Sequence, residues 1–331
     1  MMSNVLNTSD FVYGSELQGR GYVTKTDIIL GSGTTITGMV AFCGAMVNFY
    51  VIKNLNVFHN PFGFFWAART VGELGSEIVY ATYTGPITLV QPTNIPPALG
   101  IFAYQFGITF GYVQCIMHWA VSLNRFVAVW FPLYYDRIFN RKLCIGVVFG
   151  ICVVAFVLVS LYLIFPCNHV GYSPRFHGNV FVKCAPDLGR DNSLIAPTLL
   201  RACFSIACAA TGIINLATFC KIAHIRMTST VKYKSIEFKR DMRLFTVGVM
   251  QDINMIVVVA AIVICNNDSN TSTFGVLLSY DGLVFIYILN TVFMTFFNPE
   301  CRRFLFKTIP KVQASSCIQP TEVALHPAVW R

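Results

Sequence analysis

The chain has 331 residues, 55% of them hydrophobic and only 12% charged, with a formal net charge of +9. A soluble globular domain carries about 25% charged residues, so this composition leaves too little polar surface to cover a water-soluble fold, and the mean hydropathy of +0.60 agrees. Soluble domains are excluded in favour of a membrane-embedded bundle, and the basic excess becomes a question of membrane side rather than of nucleic acid.

A spanning helix needs about 20 mostly apolar residues. In chain order, seven segments meet that need: 28–52, 62–84, 97–123, 143–166, 194–220, 244–265 and 275–297. The second is the most polar, with Arg69, Glu73 and Glu77 at a spacing of four. The fourth is the purest apolar run. The alternating segments of about 10 residues that mark a membrane β-barrel are missing. Residues 1–27 form a polar tail without the apolar stretch of a cleaved leader, so the first span is expected to be the insertion signal. Residues 298–331 form a second tail. The expected fold is all-α: a seven-transmembrane helix bundle with the N-terminus extracellular and the C-terminus cytoplasmic.

The orientation rests on basic residues. With the N-terminus outside, 17 Lys and Arg fall on the cytoplasmic side and five on the outer side, with Arg69 and Arg201 inside the membrane. That bias fits the positive-inside rule. The N-x-[ST] acceptors Asn7, Asn267 and Asn270 all fall outside under the same topology, where glycosylation takes place.

Several motifs then carry a resemblance. Asn124-Arg125-Phe126 is followed by Val-Ala-Val-Trp-Phe-Pro near the end of the third segment. It resembles the Asp-Arg-Tyr region of rhodopsin-like receptors, with Asn124 in place of the acid that holds the Arg. Asn48 sits late in the first segment. Asn298-Pro299 closes the seventh where those receptors carry Asn-Pro-x-x-Tyr, with Arg302 in place of the Tyr. The sixth segment has no Pro, and no Cys tops the third. Asn-Arg-Phe with Phe-Pro, the Asn60-Pro61-Phe62-Gly63 turn, two Cys in the second outer loop and Asp281-Gly282 together resemble the nematode serpentine receptor class x (Srx) chemoreceptors, over roughly residues 30–300. The resemblance implies a divergent G-protein-coupled receptor. In it Asn124, Arg125, Phe126, Asn298 and Pro299 serve G-protein coupling.

Cys167 and Cys184 lie in a polar stretch facing an oxidising compartment, so a disulfide is expected between them. Cys265, also near the outer face, is the competing partner. His169 and His177 lie between them without the close spacing of a zinc site, so no metal is expected. Ionisable residues inside a membrane are costly and usually face the bundle interior. Counting about 1.5 Å per residue, Glu77, Arg201 and Asp281 all lie roughly 10 Å below the outer surface. They fit a polar layer at the depth of a ligand pocket, or equally a structural ion cluster that never meets ligand. Deeper down, Asn48, Glu73, His118 and Asp252, with Gln114 and Gln251, fit a polar network reaching the cytoplasmic face. A satisfied core histidine is the plainer reading of His118. Beyond Pro299, Arg302 to Lys307 suggest a short amphipathic helix on the membrane, with Cys301 and Cys317 as candidate lipidation sites.

No hydrolase, phosphate-loop or dinucleotide signature is present, so neither an enzyme nor a cofactor is expected. The expected partners are an extracellular small-molecule or peptide ligand, a heterotrimeric G-protein and membrane lipid, with no nucleic acid. The expected place is the plasma membrane, and the resemblance implies sensory neurons and their cilia. Two other readings remain open. A ligand-gated channel or transporter would use the intramembrane charges as a path. A receptor-like protein would bind ligand without signalling.

Overall fold

The computed structural model describes residues 12–164, 168–183, 195–228, 236–265 and 273–306. Asn7, Cys167, Cys184, Asn267, Asn270 and Cys317, singled out in the sequence, lie outside the described residues.

Seven long helical rods are present among the described residues. α1 (Lys25–Asn54) opens with a capping box, in which Thr24 and Asp27 each satisfy the other's backbone N–H. α2 (Pro61–Val79) starts at Pro61, with the Asn60 side chain accepting from the Gly63 N–H at 2.9 Å. The rod then loosens into a π turn (Tyr80–Thr84) before resuming as α3 (Gly85–Val90). Pro86 has no N–H to donate and its ring crowds the preceding turn, which the wider π turn absorbs. α4 (Pro97–Trp130), the short α5 (Tyr135–Ile138) and α6 (Arg141–Ile164) follow. The rest are α7 (Ile195–Thr228), α8 (Ile236–Cys265), α9 (Thr273–Phe297) and α10 (Pro299–Leu305).

The helix ends differ from the sequence expectation in four informative places. The second rod reaches Val90 rather than 84, because the π turn lets it pass Pro86. The third runs to Trp130 rather than 123, so Asn124-Arg125-Phe126 lies within a helix, where Arg125 is 7% exposed. The charge does not end the helix because a carboxylate on another helix receives it. α7 and α8 also extend past the apolar runs, to Thr228 and from Ile236.

Among the described residues, four helices are long and apolar enough to cross a membrane by composition alone, and α9 qualifies as a fifth if counted with α10, which bends from it by 89°. α2 falls short because Arg69, Glu73 and Glu77 sit in it, all 1% exposed. Conversely, only 22% of the apolar window of α6 is buried, and Phe149 and Phe156 stand exposed. A soluble protein would not present such a face to water; a bilayer takes it.

One end of the bundle is capped. β1 (Val170–Ser173) and β2 (Gly178–Phe181) form an antiparallel hairpin that pairs Val170 with Phe181 and Ser173 with Gly178. Beneath β1 lies the fully buried Leu17, from the segment preceding α1. Ser173 donates to the Glu16 carbonyl at 2.5 Å, and the Tyr13 hydroxyl meets His169 Nδ1 at 2.7 Å. Asp27 ties these pieces together. Its Oδ1 accepts from Arg20 at 2.7 Å, His177 Nε2 at 2.6 Å and Gln91 Nε2 at 3.0 Å, and its Oδ2 from Thr24 N–H at 2.8 Å. Gln91 is fully buried in a left-handed conformation and reaches the Pro174 carbonyl as well.

Removing one partner of a buried charged cluster costs about 3–5 kcal/mol. Asp27→Ala should therefore lower the melting temperature and expose residues 12–24 to protease, while Asp27→Asn should do so to a smaller extent; limited proteolysis of both variants checks this.

Candidate functional site

α4 carries Gln114, His118, Ser122 and Arg125 at helical spacing, so they form one stripe on the face turned to α8. Opposite them is Asp252 of α8, 1% exposed. Its Oδ1 accepts from His118 Nδ1 at 2.5 Å. Its Oδ2 accepts from Asn215 of α7 at 2.7 Å, Ser122 at 3.0 Å and Arg125 NH1 at 3.4 Å. Gln114 Nε2 donates to His118 Nε2 at 2.9 Å. Arg125, which stays charged, is the cation paired with Asp252.

The Arg125 contact is the longest of the four, at the edge of hydrogen-bond geometry. The carboxylate is thus held chiefly by His118, Asn215 and Ser122, and the guanidinium by charge. Gly248, one helical turn before Asp252, makes the room. A Cβ there would lie 2.2 Å from Arg125 Cζ. Arg125 also lies 5.9 Å from the centroid of the Phe62 ring.

A second cluster joins α2, α8 and α9. Arg69 NH1 donates to Gln251 Oε1 at 2.9 Å, and its Nε lies 3.4 Å from Glu73 Oε1. Gln251 Nε2 donates to the Asn290 carbonyl at 2.9 Å, and Asn290 Nδ2 to Glu73 Oε1 at 3.0 Å, closing a ring. Asn48 Nδ2 donates to Thr291 Oγ1 at 2.9 Å, adding α1. Gln251 and Asp252 are neighbours, so α8 fastens both clusters. All of Arg69, Glu73, Gln251 and Asn290 are buried.

The remaining sequence candidates fall as follows. Asn124 is 1% exposed and bonds the Tyr135 hydroxyl at 3.1 Å, tying α4 to α5 rather than holding Arg125. Phe126 stacks on Trp130. Asn298 caps α10 by accepting from Glu300 N–H at 3.0 Å, and Pro299 is the first residue of that helix. The Asn of α9 that enters the network is Asn290. Cys301 is 1% exposed and packs with Val51, Phe58 and Trp66, so its thiol does not face lipid as the lipidation expectation requires. Glu77 is buried and Asp281 half-buried, the latter accepting from Thr34 at 2.8 Å. Arg201 is exposed, within electrostatic range of Tyr162 on α6. Among the described residues no ion pair joins it to either acid. Sequence reading missed Ser122, Asn215, Gly248 and Asn290. Only Ser122, four residues after His118, carried a spacing signal.

The family described as Serpentine type 7TM GPCR chemoreceptor Srx matches residues 39–298. The chain belongs to this family. It is a multi-pass membrane protein with the helical fold of rhodopsin. Squid rhodopsin superposes with a TM-score of 0.64 at 12% identity, covering 86% of this chain and 85% of the other. Serpentine receptor class X 45 of Caenorhabditis elegans is 27% identical over 144 residues, 42% of this chain and 39% of that protein. Olfactory receptor 8H1 of Homo sapiens is 30% identical over 102 residues, 30% of this chain and 32% of that protein. The chain thus matches less than half the length of either relative.

Truncating Asp252 leaves Arg125 buried without a counter-charge, which costs about 3–5 kcal/mol. Asp252→Ala should lower the melting temperature of the purified protein, and adding Arg125→Leu should recover part of the loss. Equal melting temperatures for the single and double variants would show that the pair is not coupled.

Proposed function

We propose that this chain is a chemosensory receptor that binds an extracellular small molecule or peptide at the capped end of the bundle and activates a heterotrimeric G-protein at the Arg125 end. The supporting observation is the interhelical contact between Arg125 and Asp252, seated in the notch at Gly248. The neighbouring acid that holds the Arg in rhodopsin-like receptors is Asn124 here, turned to Tyr135. A carboxylate from α8 takes over the restraint.

In this reading the ligand shifts the population toward a state in which α8 swings away, by binding that state better. Arg125 and Phe126 then meet the G-protein, with the α4–α6 and α7–α8 connections beside them. Glu77 and Asp281 belong to the ligand end, while Asn48, Glu73, His118 and Asp252 carry the change between the ends. The N-terminus is outside and the C-terminus inside at the plasma membrane of a sensory cell. Asn7, Asn267 and Asn270 are glycosylated, and a Cys167–Cys184 disulfide tightens the hairpin cap. α10, which turns by 89° with Asn298 and Pro299 at its start, lies along the inner leaflet with exposed Arg302 and Arg303 at the headgroups.

The test is ligand-free nucleotide exchange by a co-expressed G-protein. A Cβ at residue 248 meets the far end of a flexible side chain, so Gly248→Ala displaces Arg125 without unfolding the bundle. Weakening the restraint by one or two kcal/mol shifts the equilibrium by roughly 5–30-fold. Gly248→Ala and Asp252→Asn should raise basal exchange within that range, and Arg125→Ala should abolish it in either background. Unchanged basal exchange in both variants refutes the restraint; ligand-evoked current without exchange would instead make the protein a channel.

A further inference from the structure

A cavity of about 400 Å³ opens at the Arg125 end of the bundle, where the end of α1, the turn into α2 and the start of α6 meet. Small-molecule sites span about 300–1,000 Å³. The depth of this one is apolar: Ile52 of α1, Phe64 and Ala67 of α2 and Ile145 of α6 line it. Small residues leave the space. Gly63 lies against the Phe58 carbonyl, where a Cβ would collide, so the turn folds tightly onto α2. Ala67 and Cys144 fill little of the gap behind it. Phe64 is 37% exposed and Ile145 49%, so this slot is continuous with the apolar outer face that α6 carries to Phe149, one turn further on.

The rim is basic. Arg141 lines the cavity as the first residue of α6, with Lys142 beside it, and both are exposed. His59, also in the lining, meets the Lys53 carbonyl at 3.1 Å, which brings the end of α1 and the exposed Lys53 to the same edge. Because α6 starts here, the positive end of its dipole adds to the field. Among the described residues Lys53, Arg141 and Lys142 join no ion pair, and no carboxylate lines the cavity.

We propose that this cavity holds an anionic phospholipid of the inner leaflet, with its phosphate on Arg141 and the first part of one acyl chain in the slot between Phe64 and Ile145. A guanidinium meets phosphate oxygens with paired N–H donors, and the cytoplasmic leaflet is the anionic one. A soluble anion would leave the apolar slot unfilled, and an uncharged sterol would leave the basic rim unmatched. An anionic amphiphile uses both. The inference rests on the receptor reading above for placing this end of the bundle at the inner leaflet; the binding itself requires no G-protein.

The test uses the full-length protein in a neutral detergent, with no G-protein present. Phosphatidylglycerol and phosphatidylcholine with identical acyl chains are titrated in, and thermal unfolding is followed. A phosphatidylglycerol with a photoreactive group in its acyl chain locates the bound lipid. Phosphatidylglycerol should stabilise the protein in a saturable way, at a concentration about tenfold lower than phosphatidylcholine, and should label α2 and α6 beside Phe64 and Ile145. Arg141→Gln should raise the half-saturating phosphatidylglycerol concentration by about tenfold, the loss of one charge-assisted contact. Ala67→Phe, which fills the slot, should abolish the labelling. Arg175→Gln, which removes an exposed charge from the hairpin cap, should change neither readout. Arg141 is exposed, so its variant keeps the test decisive should Ala67→Phe fail to fold. Equal half-saturation by the two lipids, equal losses in Arg141→Gln and Arg175→Gln, or labelling away from α2 and α6 would overturn the proposal. So would stabilisation by inorganic phosphate alone, or displacement of the label by an uncharged sterol. Labelled α2 and α6 in a protein that evokes no nucleotide exchange would leave the lipid site standing and remove the coupling. Exchange in a protein that shows no such labelling would do the reverse.

Discussion

A carboxylate inside a bilayer cannot be left to water, and Asp252 is fully enclosed. Its donors come from α4 and α7, and its own helix is α8. The geometry of that end of the bundle follows from satisfying one charge. α4 must present His118, Ser122 and Arg125 on a single face. α8 must carry a glycine where the guanidinium passes, and α7 must bring Asn215 within reach. Truncating one of the polar partners alone leaves an unmet lone pair or an unmatched guanidinium, which in a low dielectric costs more than the bond lost.

The ring of Arg69, Glu73, Gln251 and Asn290 obeys the same constraint on the other side of α8. It keeps two ionised side chains neutral as a pair and ties α2 to α9 through a single glutamine. Since Gln251 and Asp252 point to opposite clusters from adjacent positions, a rotation of α8 strains both at once.

The exterior follows the opposite rule. α6 spends its apolar residues on lipid, with Phe149 and Phe156 facing outward, while the polar and charged side chains turn inward. Packing between rods is achieved by small residues. Side chains at Gly31 and Gly38 of α1 would strike Leu89 and Ala81 on the second rod. The cap differs again. It is built like a small water-soluble motif, with a hairpin, a buried leucine and Asp27 holding three donors on a single oxygen.

Much of the architecture was legible in the sequence. Seven apolar runs each correspond to a rod, since bilayer thickness fixes the length of a spanning helix and apolarity is a property of composition. The i, i+4 pairing of Arg69 with Glu73 and the common face of Gln114 and His118 were equally legible, because helical period alone decides them. What the sequence could not decide was which rods approach one another and at what rotation. Arg125 looked unpaired because its partner lies 127 positions away on another helix. Asn298 stood out through its resemblance to a coupling motif, and the structure spends it as the cap of α10, while Asn290 is the asparagine of α9 that enters the network. Arg201 matched Glu77 and Asp281 in depth, yet depth along an axis says nothing of direction around it, and Arg201 is exposed and, among the described residues, in no ion pair with either acid. Periodicity determines a residue's height and face on its own helix; only tertiary packing determines what that face meets.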